Sequence, residues 1–84
     1  MKIAFYGSDW SSDCRDSKEI LERHKVEFED YDLSRDSEYS RIAKQISGGS
    51  NIPVIRFGDG KFLINPSKEV LLEELRNREI INPA

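Results

Sequence analysis

The chain has 84 residues, 13 of them basic and 16 acidic, with a formal net charge of −3 at pH 7 and one cysteine. That length makes one small domain with one modest core, and the mixed, dispersed charges argue against a nucleic-acid binder, which would show a basic face. A single cysteine rules out an internal disulfide scaffold, and Cys14 with the lone His24 does not make a metal site.

No apolar run approaches the roughly 20 residues that span a bilayer. The opening run Ile3-Ala4-Phe5-Tyr6 is far too short for a secretory signal, so cytoplasmic residence is the default expectation. The same run, unbroken and with two aromatics, reads as a strand buried on both faces. Gly7-Ser8-Asp9 ends it. A helix is expected from Ser11 or Ser12 to His24-Lys25, with Cys14, Lys18 and Leu21 on one face and Ile20 beside them. Ser11, Ser12 and Asp13 supply N-cap and first-turn residues, and His24 sits where a cation suits the end of the helix dipole.

Val26-Glu27-Phe28-Glu29 alternates and predicts a second strand, continuing through Tyr31 and Leu33 with a slip at Asp30. Ser34-Arg35-Asp36 caps a second helix. Its apolar stripe is Tyr39, Ile42, Ala43 and Ile46, and Gly48-Gly49 ends it. Ile52 to Phe57 predicts a third strand and Lys61 to Ile64 a fourth, joined by Gly58-Asp59-Gly60 as an antiparallel hairpin. Asn65-Pro66-Ser67 stops that strand and caps a third helix, with Val70, Leu71 and Leu75 expected inward. After a polar stretch from Arg76, Ile80-Ile81 either docks on the core or belongs to a loose tail over 79–84.

The order β-α-β-α-β-β-α implies an α/β fold in one domain over 1–84. The first two strands, joined through a helix, should be parallel with a right-handed crossover. A four-stranded mixed sheet with helices on both faces follows.

The junction Trp10-Ser11-Ser12-Asp13-Cys14 lies between the first strand and the first helix. Together with the element order it resembles the glutaredoxin branch of the thioredoxin fold, over Lys2 to about Arg76. Phe5-Tyr6-Gly7 followed by Trp10-x-x-Asp13-Cys14 is similar to small glutaredoxin-like and mycoredoxin-like proteins that carry Trp-Cys-Pro-Asp-Cys. The segment from Val26 to Leu33 is similar to their second strand. Asn51-Ile52-Pro53 resembles the segment with the family's cis-proline. Asp59-Gly60 followed by Asn65-Pro66-Ser67 resembles the mycoredoxin-type ending.

The resemblance implies a thioredoxin-like fold of glutaredoxin type and thiol–disulfide oxidoreductase chemistry through a redox-active centre. It implies no bound cofactor, with glutathione, another small thiol or a thioredoxin-reductase-type donor as reductant. Protein or small-molecule disulfides would be the substrates, and a monomer with no nucleic-acid or membrane partner is expected. By position, Ser11 stands for the nucleophilic cysteine and Cys14 for the resolving one. Trp10, Ser12, Asp13, Ile52, Pro53 and Ser67 are the candidate substrate-binding residues. A cis bond before Pro53 would leave the Ile52 backbone free to pair with an extended peptide or glutathione.

The chain departs from the family pattern at two places. Ser11 and Ser12 replace the first cysteine and the proline of the motif. The Gly-Gly pair and acid that hold the glutathione γ-glutamyl end in many glutaredoxins are also missing after the fourth strand, which leaves glutathione binding open.

In a working site the first thiol sits at the helix N-terminus, where unpaired N–H groups and the dipole stabilise its thiolate against a free-cysteine pKa of about 8.5. It attacks a disulfide, and the second cysteine resolves the mixed disulfide. A serine hydroxyl can cap the helix and hydrogen-bond, but it cannot form a disulfide.

Three origins fit Ser11: a Cys→Ser change that stops turnover, natural loss of the nucleophile, or a recoded selenocysteine. The neighbours also have plain structural roles. Cys14 can be an inert core thiol, Trp10 a partly exposed packing residue, Ser67 a simple cap, Asp13 a first-turn acid, and Tyr6 is read as core. Two functions compete: an oxidoreductase disabled by Ser11, and a redox-silent module that binds a peptide or small thiol in the same groove.

Overall fold

The computed structural model describes residues 2–49 and 51–82. Its elements are β1 (Ala4–Gly7), α1 (Ser12–Arg23), β2 (Glu29–Asp32), α2 (Ser37–Ser47), β3 (Val54–Arg56), β4 (Phe62–Ile64) and α3 (Lys68–Asn77). The four strands form one sheet in the order β2-β1-β3-β4. β1 runs parallel to β2 and antiparallel to β3, and β3–β4 is the antiparallel hairpin.

The unbroken apolar run at the start is explained by cover on both faces of the sheet. Ile3 and Phe5 join Cys14 and Leu21 of α1, Leu71 and Leu75 of α3, and Ile55, Phe57 and Ile81 in the main core. Phe5, Leu21, Leu71 and Leu75 are fully buried, each stabilising the fold by about 1.5–3 kcal/mol relative to exposure. Tyr6 faces the other way and packs with Val54 and Ala43, against the stripe Tyr39, Ile42 and Ile46 of α2. Tyr31 extends this second layer, stacked on Tyr6 with ring centroids 5.0 Å apart and edge-on to Tyr39 at 5.0 Å. Tyr6 is therefore a core residue.

Each helix starts on a side-chain cap. Ser11 accepts from the Cys14 N–H, Asp36 from the Glu38 N–H and Ser67 from the Val70 N–H. α2 closes on Gly48 at φ +73°, a left-handed cap that glycine adopts without steric cost. α1 closes on His24, which stands at its C-cap.

Five expectations need correction. The second strand starts at Glu29, not Val26. Lys25 turns at φ +56° and the Val26 N–H is drawn back to Leu21 O at 2.8 Å, so Val26–Phe28 links helix to sheet. Pairing with β1 begins where the Glu29 N–H reaches Ile3 O. The third and fourth strands are likewise shorter than predicted, because Ile52 and Pro53 precede the ladder and Phe57 and Lys61 already close the hairpin turn.

Val70 is 42% exposed rather than inward. Leu71 and Leu75, four residues apart, fill the core face, and Val70 is rotated off it. On α1 the inward set is Cys14, Ser17 and Leu21. Lys18 lies at the edge of that face, its Nζ 5.6 Å from the centre of the Phe5 ring, and leaves its ammonium with Asp9 and Asp30.

Of the two alternatives for the end of the chain, Ile81 docks in the main core and Ile80 packs beside it. Positions 83 and 84 of the expected tail lie outside the described residues. α3 is further held by Arg78, whose guanidinium lies 4.0 Å from the centre of the Phe57 ring and bonds Asp59 of the hairpin turn and Glu74.

Candidate functional site

The C-terminal end of β1 runs into the first turn of α1 through Gly7-Ser8-Asp9-Trp10-Ser11. Ser11 sits at the N-cap with extended backbone, and its Oγ accepts the Cys14 N–H at 3.4 Å. Its own N–H donates to Ser8 O at 3.1 Å, so the loop is a closed turn. An atom at the 11 side chain therefore lies where α1 presents its unpaired N–H groups, a place that favours negative charge.

Cys14 is 1% exposed and belongs to the main core. Its Sγ accepts the Ser8 N–H at 3.5 Å. Gly7 makes this possible, since a Cβ there would stand 2.8 Å from Cys14 Sγ and 2.8 Å from Phe5 Cε1. The sulfur is thus sealed under the β1–α1 turn, and Ser11 is only partly buried above it.

The Ile52–Pro53 peptide bond is cis and Pro53 is fully buried. Ile52 lines a groove of about 410 Å³ together with Ser8, Trp10, Leu33, Ala43 and Lys44. Trp10 is 76% exposed and gives the groove an apolar wall. Asp13 points across to the loop after β4, where the Asn65 side chain donates to it at 3.4 Å. The Asn65 N–H donates to Pro53 O at 2.7 Å. Positions 11, 13 and 14 are therefore tied to Pro53 at one end of the sheet, with Trp10 and Ile52 in the adjoining groove.

Two of the predicted residues stand apart from this grouping. Ser12 is exposed in the first turn of α1 with no side-chain bond among the described residues. Ser67 spends its Oγ on the Val70 N–H, as a cap does. Three residues carry more of the site than their sequence signals suggested. Ser8 holds the sulfur, Gly7 makes room for it, and Asn65 bridges two segments. Asn65 carried one usable signal, because asparagine tolerates the left-handed region better than other side chains, and it sits at φ +44°.

Lys18 braces the site loop from behind. Its Nζ bonds Asp30 at 2.7 Å and Asp9 at 3.2 Å. Burial works against its charge, but the hydrogen bonds and charges of Asp30 and Asp9 outweigh it and hold its pKa above the ordinary lysine value. Among the described residues no three His, Cys, Asp or Glu side chains are arranged to hold a metal ion, and no helix is long and apolar enough to cross a membrane.

The glutaredoxin family model matches residues 3–63, well over half of the chain. The chain belongs to the glutaredoxin family. This glutaredoxin-family chain is 23% identical over 74 residues to a Mycobacterium tuberculosis protein named as a glutaredoxin, covering 87% of this chain and 88% of the other. Among solved structures it is similar to the glutaredoxin from Archaeoglobus fulgidus, with a TM-score of 0.75 and 28% identity over 88% of this chain and 85% of that one. It is also similar to the glutaredoxin-like NrdH-redoxin from Escherichia coli, with a TM-score of 0.72 and 22% identity over 87% and 93% of the two chains. The fold is the thioredoxin-like fold of glutaredoxins, and the family is of thiol–disulfide oxidoreductase type. None of these likenesses assigns a role to Ser11.

Proposed function

We propose that this chain is a thiol–disulfide oxidoreductase of glutaredoxin type whose turnover requires a sulfur or selenium nucleophile at position 11, and that the Ser11 form is inactive. One observation carries the proposal. The Ser11 Oγ occupies the N-cap of α1, accepts the Cys14 N–H and lies about one helical turn before the Cys14 sulfur. A thiolate there would gain the same N–H and the same dipole. It would attack one sulfur of a substrate disulfide and expel the other as a thiolate. Cys14, once deprotonated, would then attack the sulfur at position 11 and release the reduced substrate, leaving an 11–14 disulfide for an external dithiol or two small thiols to reduce. Ser11 blocks the first of these steps.

A thioredoxin-reductase-type donor is favoured over glutathione as reductant. The Gly-Gly pair and acid of many glutaredoxins are absent after β4, where Asn65-Pro66-Ser67 stands. The E. coli NrdH-redoxin, similar in fold, is a glutaredoxin-like protein with a thioredoxin-like activity profile. The test is Ser11→Cys, assayed for disulfide reduction with each reductant. Turnover in the cysteine form over a silent serine form is expected, faster with thioredoxin reductase. No gain over the serine form overturns the proposal.

The second function is a redox-silent binding module. The groove walled by Trp10 and Ile52 favours it, as does the burial of the single cysteine. The codon at position 11 separates the two: cysteine or selenocysteine in the native gene removes the binding-only function.

A further inference from the structure

The side chain and the backbone of Asn65 reach two different parts of the site. Its N–H donates to Pro53 O at 2.7 Å and its Nδ2 donates to Asp13 Oδ2 at 3.4 Å. The two bonds come from a single left-handed residue at φ +44°. That conformation turns the chain sharply after β4, so that the backbone N–H faces β3 while the side chain faces the first turn of α1. Asp13 lies in that turn, one residue before Cys14, whose N–H is held by Ser11 Oγ. Two hydrogen bonds in series thus link the Pro53 carbonyl through Asn65 to the mouth of α1. No local pattern encodes this link, because its ends are separated by 52 and 12 positions along the chain.

We propose that Asn65 is a positioning residue that registers the mouth of α1 against the Ile52–Pro53 segment, and so sets the placement of the side chain at position 11 relative to the groove. The proposal rests on the oxidoreductase reading only for its effect on turnover, because the registration itself is a property of the Ser11 chain. Asn65 touches no reacting atom. It acts through Asp13.

Three variants test this. Asn65→Gly keeps the left-handed backbone and the bond to Pro53 O but deletes the donor to Asp13. Asn65→Asp puts two carboxylates together. Asp13→Asn combined with Asn65→Asp restores one donor and one acceptor with their ends exchanged. In the Ser11 protein, hydrogen exchange at the Cys14 amide should quicken by roughly threefold to tenfold in Asn65→Gly, the range one ordinary hydrogen bond commands. It should quicken more in Asn65→Asp and return toward the parent rate in the exchanged pair. The Val70 amide, held by Ser67 just beyond Asn65, is the internal control and should not change.

The same variants in the Ser11→Cys background should lower the disulfide-reduction rate in the same order, with rescue in the exchanged pair. Quickening confined to Val70, or no recovery in the exchanged pair, overturns the proposal. A Ser11→Cys protein with no turnover would sink the function and leave the exchange measurement at Cys14 to decide the registration alone.

Discussion

The side chain at position 11 and the sulfur of Cys14 are separated by one turn of helix, yet their surroundings differ completely. Ser11 is partly buried at a cap, while Cys14 is sealed beneath Gly7 and the Ser8 N–H. The native Ser11 protein should therefore fail to react with a disulfide reagent until it unfolds, and a thiol titration with and without denaturant checks this. A full equivalent of thiol reacting rapidly in the native protein would mean that the β1–α1 turn opens easily. Gly7→Ala should destabilise the fold by about 1–3 kcal/mol, read from urea unfolding, because the added methyl would stand 2.8 Å from Phe5 Cε1 and 2.8 Å from Cys14 Sγ, side-chain atoms packed in the core. Pairing it with Cys14→Ala should recover part of the loss by removing one of the two clashes.

Among the elements, the caps illustrate how a candidate ligand residue becomes a structural one. Ser67 sits at a helix start, where an anion could be received, but its Oγ already holds the Val70 N–H. Ser67→Ala should cost about 1 kcal/mol in urea unfolding and leave disulfide reduction by the Ser11→Cys protein unchanged. The strands show the opposite relation between pattern and position. Val26 to Phe28 alternates as a strand should, but the end of α1 claims the Val26 N–H first. Local alternation says which side chains alternate in burial, and the neighbouring backbone decides which residues join the ladder.

Across the whole molecule, the far end of the chain is closed by charge as well as by packing. Arg78 lies on the Phe57 ring and bonds Asp59 and Glu74, and Lys61 also reaches Glu74. Lys61, then Arg78, hold the Glu74 carboxyl below its ordinary value. The Lys61 backbone N–H and the Arg78 guanidinium do the same for Asp59. A carboxyl with a lower pKa in the folded chain adds stability above its unfolded value and loses it as pH falls through the folded one. The urea midpoint should therefore hold above about pH 5 and fall steadily below it, as these groups take up protons on unfolding. Arg78→Ala should lower the midpoint at pH 7 and flatten that acid slope. An unchanged slope would show that other carboxylates carry it.

The element order, the apolar stripe of α2 and the caps at Ser11, Asp36 and Ser67 were legible in the amino-acid sequence, because propensity, periodicity and capping act over a few residues. So was the grouping of Ser11, Cys14 and Pro53, through the resemblance of short motifs held at the right spacing. The tertiary structure alone decided that Lys18 braces the site loop, that Val70 faces solvent, that Ile81 closes the core and that Asn65 bridges Pro53 to Asp13. Each of these depends on which atoms meet across a gap of many residues. Chain closure over such gaps is set by the packed whole, and no local pattern encodes it.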